Sequence, residues 1–204
     1  MKITKIVQQQ KQQHRYSVFV EGKYSFSLSE SALLESRLNS GQEVTTEQIT
    51  EYKQLSADDK LYGRALNYVA LRPRSIWEVE FYLRRKEAPP PLIEQITNKL
   101  QRLGLLDDQK FAESFVHNRR LLRSSSTRKL QLELRKKHIA SDIIEQVLAA
   151  DETDTDAMLK VLVAKKRQQS KYRDDDLKLM QYLARQGFGY GDIKQALEEL
   201  EAED

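Results

Sequence analysis

The side chains able to do chemistry in this sequence are three histidines, two runs of aspartates, a group of aromatics and a dense belt of Arg and Lys. His14, His117 and His138 share no spacing that would gather them round a metal, and no HExxH, glycine-rich phosphate loop or GxSxG occurs. Asp107-Asp108 and Asp174-Asp175-Asp176 each stand just ahead of a helical pattern. Carboxylates there cap the first turn and meet the positive end of the helix dipole, which explains them without acid–base chemistry. The chain has no cysteine, so thiol nucleophiles, thiolate metal sites and disulfides are excluded. These residues point away from an enzyme, with no catalytic set, metal or cofactor, and toward binding.

The belt lies between Phe115 and Ile139, where eight Lys or Arg face one acid, Glu133, in a chain whose net charge is only +3. One reading is a solvated helix face whose long basic stems cover apolar neighbours. A solvated face normally interleaves acids, however, and self-repulsion at this density is relieved by an anionic partner. Arg119, Arg120, Arg128, Lys129, Arg135 and Lys136 are therefore the candidate partner-binding surface, extended by Arg72, Arg74, Arg84 and Arg85. Their role would be electrostatic registration against acidic protein or phosphate. Trp77, Phe81 and Tyr82, with Tyr62 and Tyr68 upstream, interleave with some of these cations, as base-stacking aromatics do, but at helical spacing they also suit a core.

Few Gly (7) and Pro (4), with many Leu, Glu, Lys, Arg and Gln, favour a mainly helical soluble fold. No apolar run approaches the roughly 20 residues of a membrane span, and the absence of cysteine suits a reducing compartment, so a cytoplasmic location is expected. Residues 1–57 carry 7 basic and 6 acidic side chains, 58–150 carry 18 and 12, and 151–204 carry 9 and 13. The middle is thus basic and the end acidic.

The elements that must position these side chains begin with strands. Tyr16–Val20 and Tyr24–Leu28 alternate in polarity around Glu21-Gly22-Lys23, a hairpin signal, and Lys2–Val7 supplies a third strand. Ser29 reads as the N-cap of a short helix ending near Gly41, and a second helix starts at Thr45 or Thr46. From Asp58 a unit of about fifty residues recurs three times. Its anchors are Val79 and Leu83, Leu130 and Leu134, and Leu179 and Leu183, each first anchor preceded four residues earlier by a capping residue: Ser75, Ser126 and Asp175. Ten residues after each second anchor come Ile93, Ile144 and Ile193. Each unit reads as helix, turn, capped helix, turn, helix, and such units stack into an elongated all-α array. The expected segments are 1–57 (strands and short helices), then three-helix repeats at 58–106, 107–152 and 153–204. Most basic residues of the belt do not recur at matched positions and distinguish the middle unit. A capped middle helix also resembles a helix-turn-helix, without identifiable base-reading side chains.

Three stretches together resemble RecX regulatory proteins. They are Ala65–Ser75 followed by Glu78 and Leu83; Leu103-Gly104-Leu105-Leu106-Asp107-Asp108 leading to Phe111, Ala112, Phe115, Val116 and Arg119; and Leu183–Phe188 followed by Tyr190 and Ile193. The resemblance implies a bacterial protein of tandem three-helix repeats that binds the RecA recombinase filament on single-stranded DNA; the chain itself is expected to be a monomer. It implies restraint of filament growth, ATP hydrolysis and strand exchange, with possible contact to single- or double-stranded DNA and none to membrane. The alternative is a helical DNA-binding protein acting without RecA. The family's glycine at the end of each capped helix survives only as Gly187. Glu87 and His138 stand at the matching positions, so those two helices are expected to end differently or continue. Ser124-Ser125 likewise replaces a common turn glycine.

Overall fold

The computed structural model describes residues 1–203 as a three-stranded sheet followed by ten helices. Strands β1 (Ile3–Gln8), β2 (Arg15–Val20) and β3 (Lys23–Ser29) form an antiparallel sheet in sequence order. The β2–β3 turn places Glu21 and Gly22 at φ 48° and 75°, the paired positive values of a two-residue hairpin whose twist matches that of the strands. Ser29 caps α1 (Glu30–Ser36) by accepting from Ala32 N–H, and the helix stops at Arg37 in the left-handed conformation, earlier than the expected end near Gly41.

Thr45 opens α2 with a full capping box, its hydroxyl accepting from Gln48 N–H while the Gln48 side chain accepts from Thr45 N–H. From there α2 runs unbroken from Thr46 to Ala70. The helix expected to begin at Asp58 is the second half of this one. Asp58 starts nothing because its carboxylate accepts from Gln54 one turn back, and Asp59 turns to the sheet, where it pairs with Arg15 at 3.0 Å and accepts from Ser29. Then follow α3 (Ile76–Arg84), α4 (Pro90–Arg102), α5 (Asp108–Arg123), α6 (Thr127–Arg135), α7 (Ser141–Ala149), α8 (Thr155–Arg167), α9 (Asp176–Arg185) and α10 (Tyr190–Glu203).

Two compact units divide these elements. Unit 1 holds residues 1–73 and 79–106, and unit 2 holds 74–78 with 107–204. In unit 1 the sheet buries Ile3, Val18, Phe26 and Leu28 against Ala32, Leu38, Val44 and Ile49, and Tyr52 of α2 stacks on Phe26. In unit 2, Phe111, Val116, Leu130, Leu134, Ile144 and Val147 form one core, while Leu159, Val163, Leu179, Leu183, Phe188 and Ile193 form another. All six repeat anchors are completely buried. The first turn of α3 belongs to unit 2 although the rest of the helix belongs to unit 1. Among the described residues no helix is long and apolar enough to cross a membrane.

The three capped helices end alike, contrary to the expectation from Glu87 and His138. Glu87, His138 and Gly187 all have positive φ (60°, 56° and 92°). In each case the following amide donates back to the buried anchor's carbonyl: Ala88 to Leu83, Ile139 to Leu134 and Phe188 to Leu183, at 3.2 to 3.3 Å. These residues are themselves buried, completing the hydrophobic contact of a Schellman end. A side chain in that conformation costs on the order of 1 kcal/mol, less than the satisfied carbonyls and buried side chain return.

Candidate partner-binding surface

The ten cations marked in the sequence serve different ends. Three of those in the belt are built into unit 2. Arg120 sits near the C-terminal end of α5 with its guanidinium against Asp151 at 2.7 Å, and both side chains are about nine-tenths buried. It also donates to Ser125 carbonyl oxygen at 2.6 Å and to Thr127 Oγ1 at 2.8 Å, so one side chain locks the Ser124–Ser126 turn to α6 and to the segment after α7. The turn needs this, because Ser124 takes the left-handed conformation usually given to glycine. Burial alone would raise the Asp151 carboxyl, but hydrogen bonds from Thr153 and Arg120 and the Arg120 charge outweigh it and hold it below the ordinary carboxylate range. Arg119 lies over the Phe115 ring at 4.8 Å and binds Glu133, the belt's single acid, at 2.7 Å.

Lys129 reaches from the first turn of α6 to the end of α9, donating to Arg185 carbonyl oxygen at 3.0 Å and to Gln186 Oε1 at 2.8 Å. Its amine titrates below the usual lysine range, mainly through burial, helped by the Arg119 and Arg123 charges and opposed by Glu133. The same joint is closed by Ser126, whose N–H donates to Gln186 carbonyl oxygen and whose hydroxyl caps α6 at Lys129 N–H. It also explains why this end alone of the three keeps a glycine: a Cβ on Gly187 would stand 2.3 Å from Ser126 Oγ and 2.7 Å from Lys129 Cβ.

An equivalent joint joins the first turn of α3 to the end of α6. Ser75 caps α3 by accepting from Glu78 N–H, Glu78 accepts from Ser75 N–H, and Ser75 Oγ donates to Lys137 carbonyl oxygen at 3.0 Å. Lys137 Nζ then pairs with Glu78 at 2.6 Å, and the Trp77 indole stacks on the His138 ring at 4.3 Å. Asp108, one of the capping aspartates, accepts from Ile76 N–H at 2.8 Å. Trp77 is therefore a packing residue of unit 2, and Tyr82 stacks on Tyr68 in unit 1 at 4.2 Å, so these aromatics serve the fold.

The remaining cations face outward. Arg128, Arg135 and Lys136 are exposed on α6 or just past its end with no partner among the described residues, and they surround Leu132, which is 49% exposed. Spacings of three and four residues put all four on one face, opposite buried Leu130 and Leu134. Helix α3 of unit 1 repeats the pattern at an offset of 51, with Phe81 (45% exposed) followed by exposed Arg84 and Arg85. Of this pair Arg84 bonds Glu80 one turn back at 2.6 Å, a solvent-exposed pair of small energetic weight. Arg135 and Lys136 thus match Arg84 and Arg85, which corrects the expectation that the belt's charges mostly do not recur. Four of the belt's eight have a basic counterpart in the first unit, at Arg72, Arg84, Arg85 and Lys86, and Lys129 has one in the third, Lys178. Arg72 is exposed, one nitrogen donating to Pro73 carbonyl oxygen at 2.8 Å, and Arg74 is half-buried.

Three domain models of one family match this chain: the N-terminal domain of regulatory protein RecX at residues 1–45, the RecX first three-helix domain at 62–100 and the RecX second three-helix domain at 107–148. A regulatory protein RecX of Lactobacillus gasseri is 34% identical over 98% of this chain and 75% of its own length. The chain belongs to the RecX family. A second relative so named, from Bacillus subtilis, is 31% identical over 98% of this chain and 78% of its own. A crystal structure of regulatory protein RecX superposes with a TM-score of 0.73 at 27% identity, covering 97% of this chain and 98% of that one. Within this RecX chain, sequence reasoning missed the role of Lys129, Lys137 and Trp77 at the helix joints. The available signal was the alignment itself, since Glu78 matches Lys129 and Lys137 matches Gln186.

Proposed function

We propose that this RecX chain regulates RecA by binding its filament on single-stranded DNA through the outward faces of α3 and α6, restraining filament growth, ATP hydrolysis and strand exchange. The observation that carries the reading is the repeated stripe, Phe81 with Arg84 and Arg85 on one helix and Leu132 with Arg135 and Lys136 on another. Half-exposed large apolar side chains bracketed by cations suit a protein surface of acidic rim and apolar centre better than they suit water. The reading takes its partner from the family resemblance and its contact residues from the stripe.

The test is RecA-catalysed, single-stranded-DNA-dependent ATP hydrolysis with and without this protein, alongside the R128Q/R135Q/K136Q variant. Inhibition by the parent and its loss in the variant, at unchanged melting temperature, support the reading. No effect of the parent on hydrolysis refutes it. Tight binding to naked DNA at physiological salt with nothing gained from RecA favours a DNA-binding protein that acts alone.

A further inference from the structure

The stripe on α6 calls for an apolar hollow with acids around it, and unit 1 carries one. Between α1, α2 and α4 lies a hollow of 150 Å³ lined by Ala32, Leu55, Tyr62, Leu92 and Ile96, a volume that a benzene ring fills. Glu35 and Asp58 line it as well, and Glu51 continues the same face of α2 one turn before Leu55. These three acids lack a counter-charge. Glu35 and Glu51 are exposed without a partner among the described residues, and Asp58 accepts from the neutral Gln54 amide at 2.8 Å. Asp59, also in the lining, is already paired with Arg15. Among the lining residues the one cation is Lys99, which lies over the Tyr62 ring at 4.4 Å.

We propose that this hollow seats the α6 stripe of a second copy of the chain. The two helices carry one spacing with opposite charge: Glu51, Leu55 and Asp58 on α2, and Arg128, Leu132 and Arg135 on α6, each at four and then three residues. On both, the outer charges are seven residues apart, about 10.5 Å of helix. Laid side by side, the helices place Leu132 in the hollow beside Leu55 and each cation opposite an acid, with Lys136 and Glu35 left as a further pair of opposite sign. Leu55 and Leu132 are 38% and 49% exposed, so each still lacks a cover. Helix α3 fits less well, because Trp77 holds the place of Arg128 there and stacks on His138. One helix in one hollow buries less than the roughly 1,200 Å² of a standard interface, so the contact is weak. The monomer expected from the sequence is then the dilute form. The inference takes the α6 stripe from the function proposed above but needs no RecA, and a chain so paired has that stripe covered.

The experiment is sedimentation velocity of the full chain alone, from about 5 to 500 μM, beside the E51K/D58K and R128E/R135E variants. The parent's sedimentation coefficient is expected to rise with concentration, and to rise less when salt screens the pairs. Each variant sets like charges face to face and is expected to weaken association by at least about tenfold. Mixed in equal amounts, the two variants again present opposite charges in both directions, so the mixture is expected to associate as the parent does. Leu132→Ala, which truncates a half-exposed side chain, is expected to weaken association by about tenfold at unchanged melting temperature, and it reads the same contact should a reversed variant not fold. Circular dichroism confirms the fold of each variant. A parent that stays monomeric at every concentration overturns the proposal and leaves the hollow to a foreign helix of the same pattern. So does association that survives E51K/D58K, which gives the stripe another seat, or a mixture that stays monomeric. RecA is absent throughout, so failure of the ATPase test leaves this contact standing and failure here leaves that test open.

Discussion

Replacing Arg120 by alanine separates structural from available charge in the belt. In the folded chain its guanidinium meets Asp151 at 2.7 Å with both side chains about 90% buried, and it donates two further bonds to Ser125 and Thr127. Removing one partner of a buried pair leaves the other charge desolvated, at a cost of about 3 to 5 kcal/mol. Asp151 keeps its Thr153 hydroxyl bond, so the lower end applies. For a chain of this length about 3 kcal/mol lowers the melting temperature by roughly 6 to 12 °C. Arg135→Ala, which removes an exposed side chain without a partner, is expected to stay within about 0.5 kcal/mol of the parent. Thermal unfolding by circular dichroism compares the two, and a cycle with Asp151→Ala isolates the pair: in the Arg120→Ala background Asp151→Ala should cost at least about 1 kcal/mol less than alone. An Arg120→Ala protein that melts with the parent, or an additive cycle, refutes the assignment of Arg120 to the fold and returns it to the binding surface. Reversing Arg119, Arg120 and Lys136 together would mix the two effects and decide neither.

Gly187→Ala is expected to destabilise by more than the roughly 1 kcal/mol of a left-handed alanine, because the new methyl group meets Ser126 Oγ and Lys129 Cβ below 3 Å; chemical denaturation measures it, and a change under about 0.5 kcal/mol would mean the joint has room. Asp151 also sets an acid limit. Its folded carboxyl titrates below its ordinary value of 3.8, so the stability it lends is full above that value and is lost as pH falls through the folded one. The gap in melting temperature between the parent and Asp151→Asn should accordingly close below about pH 4, and a gap independent of pH down to 3 would contradict the pairing.

What could be read from the sequence was whatever repeats locally. Leu130 and Leu134 are four apart after a cap, so their burial follows from helix periodicity alone, and the Glu21-Gly22 turn announces its hairpin in two residues. The charge belt was legible as a total and not as an arrangement. Arg119, Arg120, Arg128 and Arg135 are identical side chains, and only the fold brings Glu133 and Asp151 to two of them across separations of 14 and 31 residues. The continuity of α2 was missed for a similar reason. Asp58-Asp59 resembles a helix start, but the backbone amides it would cap are already inside a helix, and Asp59 is spent on Arg15 and Ser29 of the sheet.

The two joints of unit 2 suggest how identical-looking helices find the right neighbours. Both seat the capping serine of one helix on the left-handed end of another, Ser75 at Lys137-His138 and Ser126 at Gln186-Gly187, and a first turn fitted to one end does not suit the other. Their side chains set the choice. The first turn of α3 presents Glu78 to Lys137, whereas the first turn of α6 presents Lys129 to the neutral Gln186. Were α6-type Lys129 seated on an end like Lys137, two ammonium groups would meet in a partly buried site, at a cost of several kcal/mol. Ring and methylene chemistry adds to this: Trp77 needs the His138 ring to stack on, while Ser126 and Lys129 approach Gly187 so closely that no side chain fits there. The departure from glycine at His138 therefore carries information. Each of these two left-handed ends accepts the residue its own neighbour can pack against, and the order of the helices is specified by the joints as well as by the chain.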